Sequence, residues 1–238
     1  MKISTALLSE TGPRSVNEDA VSVWHAEDGS LIVAVADGLG GMGSGDTASN
    51  LAISTVKKAL FSSALSQDTL RLAVLKAHST ILSAQTKDPE RSKMATTMTV
   101  LAFGNFGVLG AHCGDTRAAV ARASGIKRLT KDHSEGQRLL DAGKLTKEDL
   151  SVYPRQHILE SALGDHNAPT INPFEFDMLP GDRFVITSDG VHGIVLLREM
   201  REFLVKAKDP SEFVEMVKNC VVERRPKDNF SLAAVFIS

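Results

Sequence analysis

The sequence contains few cysteines and no uninterrupted run of apolar residues long enough to span a membrane. Cys113 and Cys220 are the only cysteines, and we interpret both as buried free thiols in a reducing compartment, because both lie in apolar surroundings. The longest apolar stretch, residues 98–113, is interrupted by Gly104-Asn105 and Gly107. Those breaks predict a hairpin rather than a membrane span.

The sequence also lacks a block of like charge and a leader segment. The formal net charge is -2, and no cluster of basic residues is present, which excludes nucleic acid and anionic membranes as expected partners. Residues 1–10 become charged too early to form a signal peptide. We therefore expect a soluble cytoplasmic protein.

Several motifs of known chemistry are missing. No His-x-x-x-His pair or cysteine cluster is available for zinc, and no Gly-x-Ser-x-Gly elbow is available for a serine hydrolase. No Walker lysine follows the glycine-rich segment at residues 38–43, so a P-loop is not expected. We interpret the remaining candidate histidines as structural; they are His112, His133, His157 and His192.

The chain has 238 residues, of which 42% are hydrophobic and 24% charged, enough for a sizeable core in a single domain over 1–238. Strands occur in runs, helices in pairs, and βαβ alternation is rare, which predicts an α+β fold with antiparallel sheets. Strands that are apolar on both faces indicate two stacked sheets with helices outside. Residues 134–160 are polar and are expected to form an inserted flap.

Strands are predicted at residues 2–9, 21–24, 31–36, 97–103, 107–112, 117–122, 126–129, 184–188 and 230–237. Helices are predicted at 46–61, 68–84, 197–207 and 210–222.

Two apolar strands each end in Asp-Gly, and these are the most informative features of the chain. They deliver Asp37-Gly38 and Asp189-Gly190, and each glycine is expected to allow a sharp turn. A third carboxylate, Asp228, lies just before the last apolar run. Carboxylates at strand ends without a histidine or cysteine cluster are typical ligands of Mg²⁺ or Mn²⁺.

The glycines after Asp37 also match the Gly-x-Gly-x-x-Gly pattern of dinucleotide sites. However, no acidic residue lies between Asp46 and Asp68, so the ribose-binding acid of such sites is missing. Asp37 would also repel a pyrophosphate. A structural turn beside a cation held by Asp37 is the favoured interpretation, and NAD binding stays the alternative.

Two further segments allow a functional and a structural interpretation. Asn17-Glu18-Asp19 follows Arg14, so it is either a solvated turn or a set of metal ligands beside an arginine that grips phosphate. Asp115 in Gly114-Asp115-Thr116-Arg117 either caps a hairpin turn or binds metal.

Taken together and in order, these segments resemble the metal-dependent serine/threonine protein phosphatases (PPM, or type 2C) in their compact bacterial form. The matching segments are residues 12–19, 35–41, 45–49, 95–97, 114–117, 129–134, 161–164, 187–190 and 228–229. They cover nearly the whole chain.

The resemblance implies a four-layer α-β-β-α sandwich with a two-metal site at one edge and a small flap. By resemblance, Asp37 bridges two Mg²⁺ or Mn²⁺ ions, Asp189 and Asp228 hold one, and the Gly38 carbonyl with Glu18 or Asp19 serves the other. Arg14 orients the phosphate. A third, weaker ion is expected at Asp115 with Asp189.

The sequence departs from the family's usual residues at Leu39, Met42, His157 and Ser161, and no side-chain general acid is assigned. The resulting prediction is hydrolysis of phosphoserine and phosphothreonine in proteins by a metal-activated water. Phosphorylated proteins are the expected partners, and a serine/threonine kinase is the expected opponent. The alternative is a regulator of the same fold that binds phosphoproteins without catalysis.

Overall fold

The computed structural model describes residues 1–40 and 44–238 of the chain. The strands in these residues are β1 (Ile3–Glu10), β2 (Asp19–His25), β3 (Leu31–Leu39), β4 (Ala95–Thr96), β5 (Met98–Gly104), β6 (Gly107–Cys113), β7 (Arg117–Arg122), β8 (Gly125–Arg128), β9 (Asn172–Phe176), β10 (Arg183–Thr187) and β11 (Phe230–Ile237). The helices are α1 (Gly45–Leu60), α2 (Gln67–Gln85), α3 (Glu135–Asp141), α4 (Lys147–Val152), α5 (Asp189–His192), α6 (Leu197–Lys206) and α7 (Pro210–Glu223).

The strands form two antiparallel sheets. One has the order β1-β11-β10-β7-β8, and the other has the order β2-β3-β5-β6-β9 with β4 paired to β3. Residues of one strand point alternately to opposite faces. Leu31, Val33 and Val35 therefore pack between the sheets, whereas Ile32 and Ala34 pack against α1 and α2.

The second sheet is covered in the same way on its outer face. Met200 and Leu204 of α6 and Phe213 of α7 pack on Val185 of β10. The result is four layers, with α1 and α2, the two sheets, and α6 and α7 in order. The predicted α+β sandwich of two antiparallel sheets between helices is confirmed.

Helix starts follow local capping chemistry. Ser66 accepts a hydrogen bond from the Thr69 N–H at the start of α2, and Asp209 caps α7, where Pro210 occupies the first turn. In the segment predicted as a flap, Ser134 caps α3 and Thr146 caps α4. None of the helices in the described ranges is long and apolar enough to cross a membrane.

β9 and α5 are among the elements that were not predicted from the sequence. β9 contains Pro173, a residue that normally argues against a strand, but β9 lies at the edge of its sheet, where a missing N–H is tolerated. The short helix α5 begins at Asp189, directly after β10. The predicted hairpins are confirmed, since β5 pairs with β6 and β7 pairs with β8.

Candidate metal centre

One end of the sandwich gathers the carboxylates that the sequence places at strand ends. Asp37 near the end of β3 lies opposite Asp19 at the start of β2. Asp189 follows β10, and Asp228 precedes β11, the neighbour of β10 in the other sheet. In an antiparallel pair, the end of one strand lies beside the start of the next. The topology therefore brings carboxylates of both sheets to one edge.

Two threonines fix the backbone of Asp37. The Asp37 N–H donates to Thr97 Oγ1 at 3.0 Å. Its carbonyl oxygen accepts from the Thr97 N–H and from Thr96 Oγ1, both at 2.9 Å. Thr96 and Thr97 are fully buried, so this end of β3 is held rigidly. Sequence reasoning placed these threonines in a matching segment but did not find this role.

Gly38 and Gly190 are needed for close backbone approach rather than for sharp turns. Neither has a positive φ; Gly38 continues β3, and Gly190 lies in α5. A Cβ on Gly38 would lie 2.3 Å from the Gly45 carbonyl oxygen, and one on Gly190 would lie 1.9 Å from the Asn229 carbonyl oxygen. The predicted turns are wrong, and the glycines let neighbouring segments touch.

Asp19 and Glu18 face different surroundings. Asp19 is only 7% exposed, and its Oδ2 accepts a hydrogen bond from Ser188 Oγ at 2.8 Å. The solvated-turn interpretation is therefore wrong for Asp19. Glu18 Oε1 accepts from the Gly45 N–H at 3.1 Å, at the start of α1. Asp19 thus points toward the other sheet, and Glu18 toward the start of α1.

Asn229 ties the Arg14 segment to β11 and was missed by sequence reasoning. Its buried side chain donates to the Thr11 and Val16 carbonyl oxygens at 2.7 and 2.9 Å. Its Oδ1 accepts from the Glu18 N–H at 2.9 Å. One amide side chain therefore positions both ends of the loop that carries Arg14.

Arg14 lies against a candidate metal ligand. Its Nη2 donates to Asp228 Oδ2 at 2.7 Å, and its Nε donates to the Lys227 carbonyl oxygen at 3.1 Å. The side chains of Arg14 and Asp228 are 56% and 44% exposed. The guanidinium is therefore anchored on one side and open to solvent on the other.

Asp115 lies where the chain crosses from one sheet to the other. β6 and β7 belong to different sheets, so the interpretation of Asp115 as part of a hairpin turn is wrong. The Gly114 N–H donates to His133 Nδ1 at 3.1 Å, which fastens the crossing to the segment after β8. Asp115 is 7% exposed, and the charge of Asp189 acts on it.

The buried carboxyl groups at this edge repel one another, and nearby positive charges do not compensate for this repulsion. Burial raises the pKa of Asp37 well above its usual range, and the charges of Asp19, Asp189 and Asp115 add to this effect. Burial, followed by Asp189, raises the pKa of Asp115 to about 7. Burial raises the pKa of Asp19 to about 6, and burial followed by Asp228 raises the pKa of Asp189.

These groups fit a hard divalent cation. Such a cation would offset the repulsion and desolvation that raise the pKa values, and Mg²⁺ and Mn²⁺ prefer oxygen ligands. Within residues 1–40 and 44–238, no three Asp, Glu, His or Cys side chains are grouped so that they could hold a metal ion by themselves. Backbone oxygens and water would therefore have to complete the coordination shell, as is usual for Mg²⁺.

The nearby histidines are engaged in hydrogen bonds. His112 Nδ1 lies 2.8 Å from Thr99 Oγ1, and its Nε2 lies 3.0 Å from the Lys131 carbonyl oxygen. His133 accepts from Gly114, and His192 Nδ1 lies 3.2 Å from Thr187 Oγ1. The structural interpretation is confirmed for these three histidines.

The model of the family described as Protein phosphatase 2C matches residues 12–231. The chain belongs to the protein phosphatase 2C family. The match spans the Arg14 segment, both Asp-Gly strand ends and the start of β11. Membership favours the cation-binding interpretation of the glycines after Asp37 over dinucleotide binding.

Several named serine/threonine phosphatases are similar to this chain over most of its length. The serine/threonine phosphatase stp of Listeria monocytogenes is 28% identical over 228 residues, which cover 93% of this chain and 90% of that protein. A Streptococcus agalactiae serine/threonine phosphatase structure superposes with a TM-score of 0.93 at 24% identity over 100% of both chains. The catalytic domain of the serine/threonine protein phosphatase PstP, described in complex with two manganese ions, gives a TM-score of 0.85 at 25% identity and covers 99% of both chains.

The positions that depart from the protein phosphatase 2C pattern have different surroundings. His157 is exposed on the segment after α4, and its charge acts on Asp189. Ser161 is buried, and its Oγ accepts from the Thr170 N–H at 2.8 Å. Met42 belongs to Gly41-Met42-Gly43, the end of the glycine-rich motif, which lies outside the described residues.

Proposed function

We propose that this protein hydrolyses phosphoserine and phosphothreonine in proteins with the help of Mg²⁺ or Mn²⁺. The observation that carries the proposal is the group of buried, mutually repelling carboxyls around Asp37 at one edge of the sandwich. Membership of the protein phosphatase 2C family supplies the type of reaction. A purely structural role for these groups would leave their repulsion without a benefit.

The ligands divide between two ions. Asp37 would serve both ions, as the family resemblance implies; it lies opposite Asp19 on its own sheet, and the charge of Asp189 on the other sheet acts on it. Asp189 and Asp228 would hold one ion, and the Gly38 carbonyl oxygen with Glu18 or Asp19 would serve the other. A third ion would be held more weakly by Asp115 with Asp189, whose charges interact.

When bound, such ions lower the pKa of a coordinated water and neutralise charge on the phosphoryl group. The residues of the chain supply orientation. Arg14 donates through Nε to the Lys227 carbonyl oxygen and through Nη2 to Asp228. A guanidinium has five N–H donors in all. The donors on its solvent side are available for a phosphate oxygen of the substrate.

The segment at residues 134–160 acts as a flap beside this edge. Its base is fastened next to Asp115, because the Glu160 N–H donates to the His133 carbonyl oxygen and the His133 N–H donates to the Gly114 carbonyl oxygen. Within the segment, Glu135 pairs with Arg155 at 2.6 Å. The segment is thus a small, internally bonded unit placed where it can contact a protein substrate.

We further infer that the substrates are phosphorylated proteins of the cytoplasm and that the enzyme opposes a serine/threonine kinase. The open position of Arg14, which is 56% exposed, suits a phosphorylated side chain presented by a large partner. The net charge of -2 offers no general attraction to nucleic acid.

The proposal is tested by measuring release of phosphate from a phosphothreonine peptide while Mn²⁺ or Mg²⁺ is varied. We expect turnover to rise with the metal and to vanish in excess EDTA. Asp37→Asn should lower kcat by at least about a hundredfold, since the bridging carboxylate is lost. Asp68→Asn, on the exposed first turn of α2, is the matched control.

The same assay separates the enzyme from a non-catalytic regulator. Full activity in excess EDTA would exclude the metal mechanism. Tight binding of the phosphopeptide with no turnover at any metal concentration would instead support the regulator.

A further inference from the structure

A second pocket borders the carboxylate edge but opens on the outer face of the sheet that contains β7 and β10. It has a volume of about 120 Å³ and lies between the sheet and α6. Val185, Val195 and Met200 form its apolar wall, and Arg117 and Arg128 form its charged wall. An open pocket with one apolar and one cationic side is suited to an amphiphilic anion.

The two arginines of this pocket share a single acidic partner. Arg117 donates to Asp132 through Nε at 3.1 Å and Nη2 at 2.6 Å. Arg128 donates to the same carboxylate through Nη2 at 2.5 Å and to the Thr130 carbonyl oxygen through Nε at 3.0 Å. Two positive charges therefore face one buried negative charge.

Each guanidinium has N–H donors that make no hydrogen bond within the part of the chain that the structure describes. Among the residues that the structure describes, the Nη1 group of neither Arg117 nor Arg128 has a hydrogen-bond partner. Their side chains are 31% and 28% exposed, so these donors are partly desolvated but can still be reached by a small molecule.

One further carboxylate acts on the extra positive charge, and the neighbouring histidine does not add to that charge. Burial, followed by the charge of Arg117, keeps the pKa of His192 well below its usual range, so His192 lines the pocket without adding charge. The other carboxylate whose charge reaches both arginines is Asp115, which belongs to the metal centre. Burial is the largest influence on the pKa of Arg128, and it lowers that pKa.

We propose that this pocket binds a small organic monocarboxylate whose apolar body is no larger than a benzene ring. The carboxylate would accept hydrogen bonds from the Nη1 groups of Arg117 and Arg128, and the body would lie on Val185, Val195 and Met200. The pocket, at about 120 Å³, is smaller than the roughly 150 Å³ apolar cavity that is known to hold benzene, but it is open, so the carboxylate can lie at its mouth.

This site goes beyond the proposed phosphatase activity and uses other residues. It borders the metal centre, because Arg117 follows Asp115 by two positions, Thr187 precedes Asp189 by two, and the charge of Arg117 acts on Asp115. A binding measurement therefore tests it without any assay of turnover.

Benzoate is the probe, titrated by calorimetry into the full chain with saturating Mn²⁺ and again in excess EDTA. We expect saturable binding of one benzoate per chain in both conditions, because the pocket uses no metal ligand. Benzamide lacks the charge and acetate lacks the body, so each should bind at least about tenfold more weakly. Loss of benzoate binding in EDTA would show that the metal centre is the site and would overturn the proposal.

Matched variants locate the bound molecule. Arg128→Met should weaken benzoate binding at least about tenfold, whereas Lys127→Met, at the exposed neighbouring position of β8, should not. Leu197→Trp should close the pocket that Leu197 lines, whereas Leu196→Trp, at an equally exposed position outside it, should leave binding intact. Thermal unfolding of each variant shows that it is folded.

Two further results would overturn the proposal. One is the absence of saturable benzoate binding by the unmodified chain. The other is unchanged affinity in both Arg128→Met and Leu197→Trp, which would leave Arg117, Arg128 and Asp132 as a structural ion triad only.

Discussion

At the scale of a single residue, Arg14 has two roles. It holds Asp228 at 2.7 Å and presents its remaining donors to solvent, where the substrate phosphate is proposed to bind. Arg14→Ala should raise KM for a phosphopeptide by an amount equivalent to about 1.5–3 kcal/mol, the value of a charged hydrogen bond. Arg14→Lys should recover only part of this loss, because an ammonium has no planar fork.

Steady-state kinetics with a small aryl phosphate and with a phosphopeptide measure the effect of Arg14. Arg71→Ala, on the exposed side of α2, is the control for loss of a surface arginine. Unchanged KM and kcat for both substrates would contradict the assignment.

Asp115 is the residue for which a metal role and a structural role still compete. It is buried where the chain crosses between sheets, and its pKa is raised to about 7 by burial and then by Asp189. If Asp115 holds a third ion, Asp115→Ala should lower activity and change the Mn²⁺ concentration needed for half-maximal turnover. Asp37 and Asp228 should still hold the first two ions.

Metal titration and thermal unfolding of the same Asp115→Ala protein decide between the two roles. Removal of a buried carboxyl that repels its neighbours should not lower the stability of the metal-free protein. A lower stability with an unaltered metal response would favour the structural role.

At the scale of secondary structure, the contact between α5 and the start of β11 positions the proposed metal ligands. Gly190 in α5 touches the backbone of Asn229 just before β11, and a Cβ there would lie 1.9 Å from the Asn229 carbonyl oxygen. Gly190→Ala must therefore push α5 and the start of β11 apart. We expect a loss of about 1–3 kcal/mol in the free energy of unfolding and a large loss of kcat, because Asp189 and Asp228 move relative to each other.

Gly29→Ala is the control for Gly190. Gly29 has a φ of +84°, and no atom lies within 4 Å of the position that a Cβ would occupy there. The substitution should therefore cost only backbone strain of about 1–2 kcal/mol and leave kcat unchanged. Denaturant unfolding and kinetics of both variants make the comparison. Equal kcat in the two variants would show that the contact at Gly190 does not position the ligands.

At the scale of the whole molecule, the carboxylate cluster couples proton binding and metal binding to the free energy of unfolding. The pKa values of Asp115 and Asp19 in the folded, metal-free protein are raised from 3.8 to about 7 and about 6. Between the unfolded and folded values, the folded chain holds protons that the unfolded chain has released. The free energy of unfolding therefore decreases as the pH rises through this window, by up to roughly 1.4 kcal/mol per pH unit for each group.

Bound Mn²⁺ should remove most of this pH dependence, because it replaces the protons. We expect the difference in Tm between the Mn²⁺-saturated and the EDTA-treated protein to grow from about pH 5 to about pH 7.5. Burial lowers the pKa of His112 to about 3, but this affects both forms alike and cancels in the difference. Calorimetry across the pH range measures it, and Asp115→Asn should reduce the growth.

A constant difference in Tm across this pH range would contradict proton–metal competition at the cluster. It would leave the raised pKa values without a connection to metal binding.

The sequence by itself determined the layers of this protein and placed acidic residues at the ends of strands. The apolar runs of β3 and β10 predict strands buried on both faces, and their ends in Asp37 and Asp189 place carboxylates at strand ends. These are local patterns, and local physics suffices to predict them. The ordered motifs then indicated the protein phosphatase 2C family, which the comparison with known families shows.

Only the tertiary structure decided how those pieces meet. The sequence could not show that β6 and β7 belong to different sheets, that Pro173 lies in an edge strand, or that Asn229 joins three segments. It also assigned Gly38 and Gly190 to turns, whereas contacts with residues distant in sequence explain them. Pairing between strands and close approach of backbones depend on the energy of the whole packed chain, which no short stretch of residues encodes.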